Sequence, residues 1–437
     1  MAMADFASSI IGHFGESLGK EILSSMEKEQ THALVLNEER LSKEAFKSLF
    51  PAVREHPFIE NAFYYNKADY DFGKSILHAS GAIYIQDASA MMPVHFLNPK
   101  SGDTCIDLCA APGGKTIDAS LKIGMEGTIV SNDLSFPRAK ELSSNIERLG
   151  LGNTIIMSVQ PSLLSKFYGP SFDNVILDAP CSVSAMFRKN ELSESDWTEN
   201  KVLGNAKTQR ELLEIAYSLL KEGGRLVYST CSFSREENED NIDYFLSIHD
   251  DMELIELPDD PRFYHPSNNK GMVYLLPCFY EGEGQFVALM KKKGNMPSIK
   301  RKAKFKENKA IKEFASSFGY EPSSIVDLNE AYYGYDGELP LMNSPSPLRV
   351  GVKIAEKAKT LIPDYALSHF LKVKAIGLSL DEARRYLAGE TLSLNAEDGF
   401  HIVSYNQVNL GYIKITHGLG KNHYPKGLRH IYKYIGY

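Results

Sequence analysis

The stretch TCIDLCAAPGGKT, residues 104–116, decides the fold. A strand-length segment with an apolar centre runs straight into small residues and two glycines, and a helical pattern begins behind them. Outward from this stretch the alternation repeats. GTIVSND (127–133) reads as a second strand, and PRAKELSSNIERLG (137–150) as a helix with Pro in its first turn and Gly past its end. NTIIMSV (153–159) is a third strand, and FDNVILDAP (172–180) a fourth with the apolar centre of a buried parallel strand. Residues 201–220 form an amphipathic helix expected to stop at Gly223-Gly224, followed by a fifth strand, RLVYSTC (225–231), and a helix over 235–248. MVYLLP (272–277) and QFVALMKK (285–292) read as a closing antiparallel pair. The pattern predicts an α/β, doubly wound, Rossmann-like sheet that binds ligands at the carboxyl ends of its strands.

On the N-terminal side, residues 1–100 read as short mixed elements. A helix is expected over 6–27, a strand at THALVL (31–36) and a helix from Ser42, with dense aromatics over 58–70. On the other side, residues 291–306 hold eight basic residues and no acid, interrupted by Gly294 and Pro297, which predicts an extended linker. NSPSPLRVG (343–351) is a second breaker before a last region of helices and strands.

Composition removes several classes. At 43% apolar and 24% charged, a chain of 437 residues is neither disordered nor fibrous and is expected to hold more than one domain. No run of about 18 apolar residues exists to span a bilayer, and the N-terminus lacks the pattern of a secretory signal. Five cysteines, an odd number, do not suggest a disulfide framework, so a reducing cytoplasm is expected. Net charge is −8, yet residues 341–437 carry 13 basic against 7 acidic residues while residues 1–290 carry 25 against 42. A polyanionic partner would dock on the C-terminal third.

Residues 106–116 stand where a nucleotide would bind: glycines admit a ligand and a helix N-terminus offers free N–H groups. The pattern is not GxGxxG. Asp133, ending the second strand, can accept from ribose hydroxyls, although a plain tight turn and a surface acid would look the same. DAPCS (178–182) and STCS (229–232) end the fourth and fifth strands. If those strands are neighbours, Cys181 and Cys231 meet in one crevice, whereas Cys105 and Cys278 read as small buried hydrophobes.

CAAPGGKT, DAPCS followed by MFRKN, and YSTCS followed by EENE together resemble the Sun-type RNA cytosine-5 methyltransferase family, and within it the bacterial 16S ribosomal RNA type. The resemblance runs from Tyr84 (YIQDASAMMP) to Lys292 and extends to GLGKNHYPKGLRH (418–430), which looks like a PUA-like RNA-binding module. It implies a class I methyltransferase sheet with a small N-terminal α+β domain and a C-terminal PUA-like α+β module. The implied boundaries are an N-terminal RNA-binding or accessory domain at 1–100, a methyltransferase domain at 101–293, a basic linker and connecting segment at 294–347 and the PUA-like domain at 348–437. The implied cofactor is S-adenosylmethionine, held by Cys109, Ala110, Ala111, Pro112, Gly113, Gly114, Lys115, Asp133, Gln160 and Asp178.

Cytosine C5 is a poor nucleophile. Addition of a thiolate to C6 makes C5 electron-rich, which is covalent catalysis. The resemblance assigns that thiolate to Cys231, release of the product to Cys181, and a place at the cytosine N3/N4 edge to Asp178. The thiol needs a pKa below its usual ~8.5, for which Lys115 is a candidate cation. Two departures stand out: Gln160 replaces an acid after the third strand, and Val183-Ser184-Ala185 replaces Gly-Glu-Gly after PCS. The target base must be single-stranded or flipped. Arg188 and Lys189 could hold flanking phosphates, and Lys421, His423, Tyr424, Lys426 and Arg429 form a basic-aromatic cluster suited to RNA. The expected partner is 16S rRNA, free or within the 30S subunit, with no membrane, no metal and a monomeric chain. A non-catalytic RNA-binding ribosome assembly factor that keeps the fold is the alternative. A nicotinamide enzyme would need GxGxxG, and an amino-group methyltransferase would carry Pro-Pro-aromatic where this chain has DAPC.

Overall fold

A computed structural model describes residues 2–182, 197–295 and 308–429. By mutual packing the chain forms two compact units, one of residues 1–32, 86–139 and 158–300, the other of residues 33–85, 140–157 and 301–437.

In the first unit the strands Met252–Leu254, Gln285–Lys292, Leu220–Thr230, Phe172–Asp178, Thr104–Asp107 and Thr128–Asn132 lie side by side in that order. Thr104–Asp107 pairs in parallel with Thr128–Asn132 on one side and with Phe172–Asp178 on the other. Phe172–Asp178 pairs in parallel with Leu220–Thr230, and Gln285–Lys292 closes the edge antiparallel to Leu220–Thr230 and to Met272–Leu275. Ile106, Val130, Ile176 and Val227 are completely buried, as the apolar strand centres demand. The sheet is the doubly wound one that the alternation predicts. Strand order reverses at Thr104–Asp107, and an open sheet of this kind forms its ligand crevice there, at the carboxyl ends.

Three elements differ from expectation. The helix over 6–27 is two helices, Ala2–Phe14 and Glu16–Met26, because Gly15 between them takes φ 81°, ψ 165°. The helix over 235–248 is a short 3₁₀ turn, Arg235–Glu237, then Glu239–Ile248, with Asn238 non-helical between them. The helix Glu199–Leu219, capped by the Thr198 side chain, passes directly into the strand Leu220–Thr230, so Gly223-Gly224 lie inside the strand and stop nothing. Leu219 and Leu220 are both fully buried, and this burial outweighs the propensity of the glycine pair.

The second unit holds a four-stranded set in the order Arg54–Glu55, Ala62–Tyr65, His32–Leu36 and Ile83–Ile85, a three-stranded sheet, and a five-stranded sheet around Gly399–Tyr405 and Val408–Thr416. The expected third strand forms as Thr154–Met157 and pairs antiparallel with Arg349–Val350. Ile76 and Ala79 share one core with Leu378, Tyr386, Val403 and Ile413. Arg40 binds the segment further, donating to the Ser80 carbonyl at 2.7 Å, the Leu149 carbonyl at 3.1 Å and His369 Nδ1 at 2.9 Å. Burial pushes this guanidinium down to about 9. Among the described residues no helix is long and apolar enough to cross a membrane.

The helix Ala2–Phe14 is pinned within the first unit by its last turn. Phe14 meets Tyr274 and Tyr264 edge-on at ring distances of 5.2 and 5.6 Å. His13 Nδ1 lies 3.0 Å from the Phe233 carbonyl and Nε2 3.0 Å from Glu239 Oε1. A carbonyl and a carboxylate on the two ring nitrogens favour the doubly protonated, charged imidazole. Burial pulls the His13 pKa down, but Glu239 and the Phe233 carbonyl outweigh it and leave it raised above 6.5. A raised folded-state pKa stabilises fully below the unfolded value and is lost as pH climbs through the folded one. The chain has a single tryptophan, Trp197, whose ring packs on Phe6 at 5.6 Å and so reports docking of this helix. The urea midpoint followed by tryptophan fluorescence is expected to fall above pH 6.5 in the wild type and to lose this component in His13→Gln.

Candidate active site

The turn after Thr104–Asp107 is held by the neighbouring strand ends. Ala110 N–H donates to the Asn132 carbonyl at 2.8 Å and Ala111 N–H to Asp133 Oδ2 at 3.3 Å. The Arg138 guanidinium contacts Asp133 Oδ2 at 3.2 Å and donates to the Ala111 carbonyl at 2.6 Å. The Asn132 side chain reaches the other way, exchanging hydrogen bonds of 3.0 and 3.1 Å with the Val159 backbone just before Gln160. Gly113 starts the helix Gly114–Ile123 at φ 122° with no side-chain cap, and a Cβ on Gly114 would stand 2.8 Å from the Gln86 side chain. Uncapped N–H groups and a Cβ-free approach are what an anionic or polar ligand needs. Gln160 is exposed at the start of the helix Pro161–Tyr168, and its side chain does not cap that helix.

Two further features fit a purine nucleoside bearing a cationic amino acid. Leu134 and Phe136, 58% and 49% exposed, lie on either side of Ser135 just past Asp133 and offer apolar surface where a base could pack. Asp107 is fully buried, accepts from Thr116 Oγ1 at 2.8 Å, and leaves Oδ1 without a hydrogen-bond partner among the described residues. Burial pushes its carboxyl up to about 7, a cost that a nearby ligand ammonium would remove. Nothing in the sequence marked Asp107 beyond its place in the quoted strand.

The fourth and fifth strands are adjacent, and their ends bring the cysteines together. Cys181 Sγ lies 2.9 Å from Cys231 Sγ, with no disulfide between them. Both are partly exposed. Cys105 is completely buried and Cys109 lies in the turn; burial pushes both thiols far up, away from thiolate chemistry. Cys278 is half-buried, and its thiol is pushed up to about 11 by burial.

Asp178, ending the fourth strand, is an acceptor on both oxygens. Lys115 Nζ approaches Oδ2 at 2.8 Å, while Ser229 Oγ and Gln285 Nε2 donate to Oδ1 at 2.6 and 3.0 Å. Burial lowers the Lys115 pKa, but Asp178, then Asp107 and Cys231, more than compensate and leave it raised. Lys115 is therefore a retained cation within electrostatic reach of the Cys231 sulfur. Ser182 lies within the quoted DAPCS, and Ser229 and Ser232 within YSTCS, but no pattern in the sequence assigns a role to any of these serines, to Gln285 or to Glu237. Glu237 sits within the quoted EENE.

Arg188, Lys189 and Val183-Ser184-Ala185 lie outside the described residues, as do residues 296–307 of the basic linker. In the last sheet Lys421 and Lys426 are exposed and Arg429 half-buried. Tyr424 corrects an expectation. It is 1% exposed, its ring edge-on to Tyr365 and Tyr386, so it is part of the core and offers no face to a base. Arg429 donates from Nε and Nη2 to the Tyr424 carbonyl at 3.2 and 3.0 Å, which fixes the turn. Lys414, which the sequence does not single out, stands directly opposite Lys421 across two antiparallel strands. Like charges in that position destabilise a sheet unless an anion neutralises them. Burial and then Lys421, Lys414 and Arg429 lower the His423 pKa, which shows how concentrated the positive charge is. Among the described residues no group of three His, Cys, Asp or Glu side chains could hold a metal ion.

A doubly wound sheet with a glycine turn at its switch point and two thiols at neighbouring strand ends defines a Sun-type methyltransferase fold. A methyltransferase homolog protein from Pyrococcus horikoshii superposes with a TM-score of 0.58 at 30% identity, covering 66% of this chain and 94% of that one. NSun6 from the same organism gives 0.60 at 20% identity over 66% of this chain and 98% of that one, a likeness of fold alone. The 16S rRNA methyltransferase RsmB/F family matches residues 94–291, the RsmF PUA domain residues 373–430, and the N-terminal domain of 16S rRNA methyltransferase RsmF residues 4–88. Ribosomal RNA small subunit methyltransferase F of Shewanella piezotolerans is 30% identical over 98% of this chain and 98% of its own. The same-named protein of Psychromonas ingrahamii is 35% identical over 65% of this chain and 63% of its own. The chain belongs to the RsmB/F family of 16S rRNA methyltransferases, with the RsmF N-terminal and PUA domains.

Removing the Lys115 cation leaves Asp178 uncompensated. Asp178 is 34% exposed, so Lys115→Met is expected to cost about 2 kcal/mol rather than the ~3–5 of a fully buried pair, read from denaturant unfolding.

Proposed function

We propose that the protein transfers a methyl group from S-adenosylmethionine to C5 of a cytidine in 16S rRNA through a covalent adduct between Cys231 and C6. The observation that carries this reading is the pair of sulfurs 2.9 Å apart just past the carboxyl ends of two neighbouring strands. When bound, S-adenosylmethionine supplies an electrophilic methyl group. The turn 109–115, Asp133, Gln160 and Asp107 would hold it, Asp107 facing its ammonium and Leu134 and Phe136 its base. Cys231, with the Lys115 ammonium favouring its thiolate, adds to C6 of a flipped cytosine and makes C5 nucleophilic. C5 would take the methyl group with S-adenosylhomocysteine as the leaving group, a base would take the C5 proton, and the C5–H electrons would re-form the C5–C6 double bond as Cys231 departs as thiolate. Cys181, whose sulfur touches that of Cys231, is placed to handle a proton during release. Asp178 already accepts from three donors, which suits it to accept from the cytosine amino group rather than to donate.

Around this site we assign residues 1–100 to an N-terminal accessory domain, 101–293 to the methyltransferase domain, 294–347 to the connecting segment and 348–437 to the PUA-like module. Lys414, Lys421 and Lys426 are the phosphate contacts of that module, and Arg188 and Lys189 serve the same end beside the PC motif. The protein would act in the cytoplasm, on free 16S rRNA or on the 30S subunit.

Cys231→Ala is expected to lower methyl transfer by at least about a thousandfold while leaving cofactor affinity within a factor of about three. Cys181→Ala should accumulate a protein–RNA adduct that survives a denaturing gel. Bisulfite sequencing of 16S rRNA from cells with and without the gene reads the product. Full methylation by Cys231→Ala would refute the nucleophile assignment, and cofactor binding without any methylated cytidine would leave an assembly factor in its place.

A further inference from the structure

Glu237 has no exposed surface, yet its hydrogen-bond partners among the described residues are neutral: Ser182 and Ser232 on the two loops that carry the thiols, and Gln209 on the helix Glu199–Leu219. Oε1 accepts from Ser182 N–H at 2.9 Å and from Gln209 Nε2 at 3.1 Å. Oε2 accepts from Ser182 Oγ at 2.6 Å and from Ser232 Oγ at 2.5 Å. The two hydroxyl oxygens are themselves 3.1 Å apart. Ser182 and Ser232 are the residues immediately after Cys181 and Cys231, so one carboxylate ties together the backbones that carry both sulfurs.

The carboxylate is itself held. The Glu237 carbonyl accepts from Tyr228 Oη at 2.5 Å, and the next residue, Asn238, accepts from Thr230 Oγ1 at 2.6 Å and donates to the Ser232 carbonyl at 2.9 Å. Gln209 is oriented by Asn241 Nδ2 at 2.8 Å and holds the Pro180 carbonyl at 2.9 Å with the same Nε2 that reaches Glu237. A buried carboxylate is costly unless every lone pair finds a donor, and a network so satisfied is rigid. Hydrogen bonds to a charged acceptor are shorter and stronger than neutral ones. The rigidity is concentrated where two loops from distant sequence must agree on a sulfur–sulfur spacing.

We propose that Glu237 is a positioning residue that sets the placement of the Cys181 and Cys231 thiols relative to each other, and so the rates of both adduct formation and adduct release. This rests on the covalent-adduct reading. Glu237 has no exposed surface with which to meet substrate or cofactor; it acts through Ser182 and Ser232. The Ser232 arm governs the nucleophile and the Ser182 arm governs release.

Single-turnover kinetics with the full-length chain and a 16S rRNA fragment test this. Adduct formation and adduct decay are followed on denaturing gels, per active molecule counted by stoichiometric S-adenosylmethionine binding. Glu237→Gln keeps the shape and one acceptor, and serine hydroxyls can turn to meet its amide, so the chain is expected to fold. Both rates should fall about 10- to 100-fold, the range that a misplacement near 1 Å costs, with cofactor affinity unchanged. Ser232→Ala should slow formation while leaving decay near wild type, and Ser182→Ala should slow decay and accumulate adduct. Wild-type rates per active molecule in all three variants would overturn the proposal. Equal slowing of both steps by each serine variant would overturn the division between the two arms. Absence of any adduct in both wild type and Cys181→Ala would instead sink the covalent reading, before Glu237 is in question.

Discussion

The crevice depends on one register. Phe172–Asp178 pairs in parallel with Leu220–Thr230 so that Asp178 faces Ser229, and the two strands end level. Because side chains alternate across a sheet, a slip of one residue would turn Asp178 to the opposite face and break its contact with Ser229 and Lys115. The level ends are what allow the next few residues of each strand, Pro180-Cys181-Ser182 and Cys231-Ser232, to meet. The chain crosses from helix to strand at Leu219 and Leu220 without a loop, and a bulge between the pairs Phe172–Leu220 and Asn174–Arg225 takes up extra residues before the register that aligns Asp178 with Ser229 is set.

Polar groups at the strand ends follow a consistent division. Carboxylates that must stay in place collect several donors: Asp178 from Lys115, Ser229 and Gln285, Glu237 from two serines and a glutamine. Asp107 differs, with Oδ1 lacking a hydrogen-bond partner among the described residues and its carboxyl pushed up to about 7 by burial. Unpaired buried polar atoms are rare in folded proteins, and one at a ligand crevice points to a partner that arrives with the ligand. The same contrast separates Lys115, whose ammonium is paired with Asp178, from Lys414 and Lys421, whose like charges face each other across two strands.

Much of this was legible in the sequence because it is periodic or local. Apolar strand centres spaced by helices predicted the doubly wound sheet, and strand-end cysteines predicted the convergence of Cys181 and Cys231. What was not legible depends on tertiary partners. Gly223-Gly224 looked like a helix stop, but two buried leucines carry the chain through. Tyr424 sits among basic residues in the sequence, and only the fold shows its ring facing inward between Tyr365 and Tyr386. Lys414 joins Lys421 through a strand pairing that no local spacing reveals. That residues 33–85 join the C-terminal sheet, through the shared core at Ile76 and Ala79 and the hydrogen bond of half-buried Arg40 to His369, is likewise a property of the packed chain.

The segment Glu237-Asn238-Glu239 shows how three adjacent polar residues divide one structural task. Glu237 points to the serines of both thiol loops. Asn238, non-helical between two helical pieces, ties the end of the fifth strand to Tyr274 through Thr230, Ser232 and the tyrosine hydroxyl. Glu239 accepts from the same Tyr274 at 2.7 Å and from His13 at 3.0 Å, which fastens the N-terminal helix to the back of the site. A continuous helix over 235–248 would send successive side chains about 100° apart around one axis and could not serve all three directions. The break at Asn238 is the backbone form that this arrangement requires.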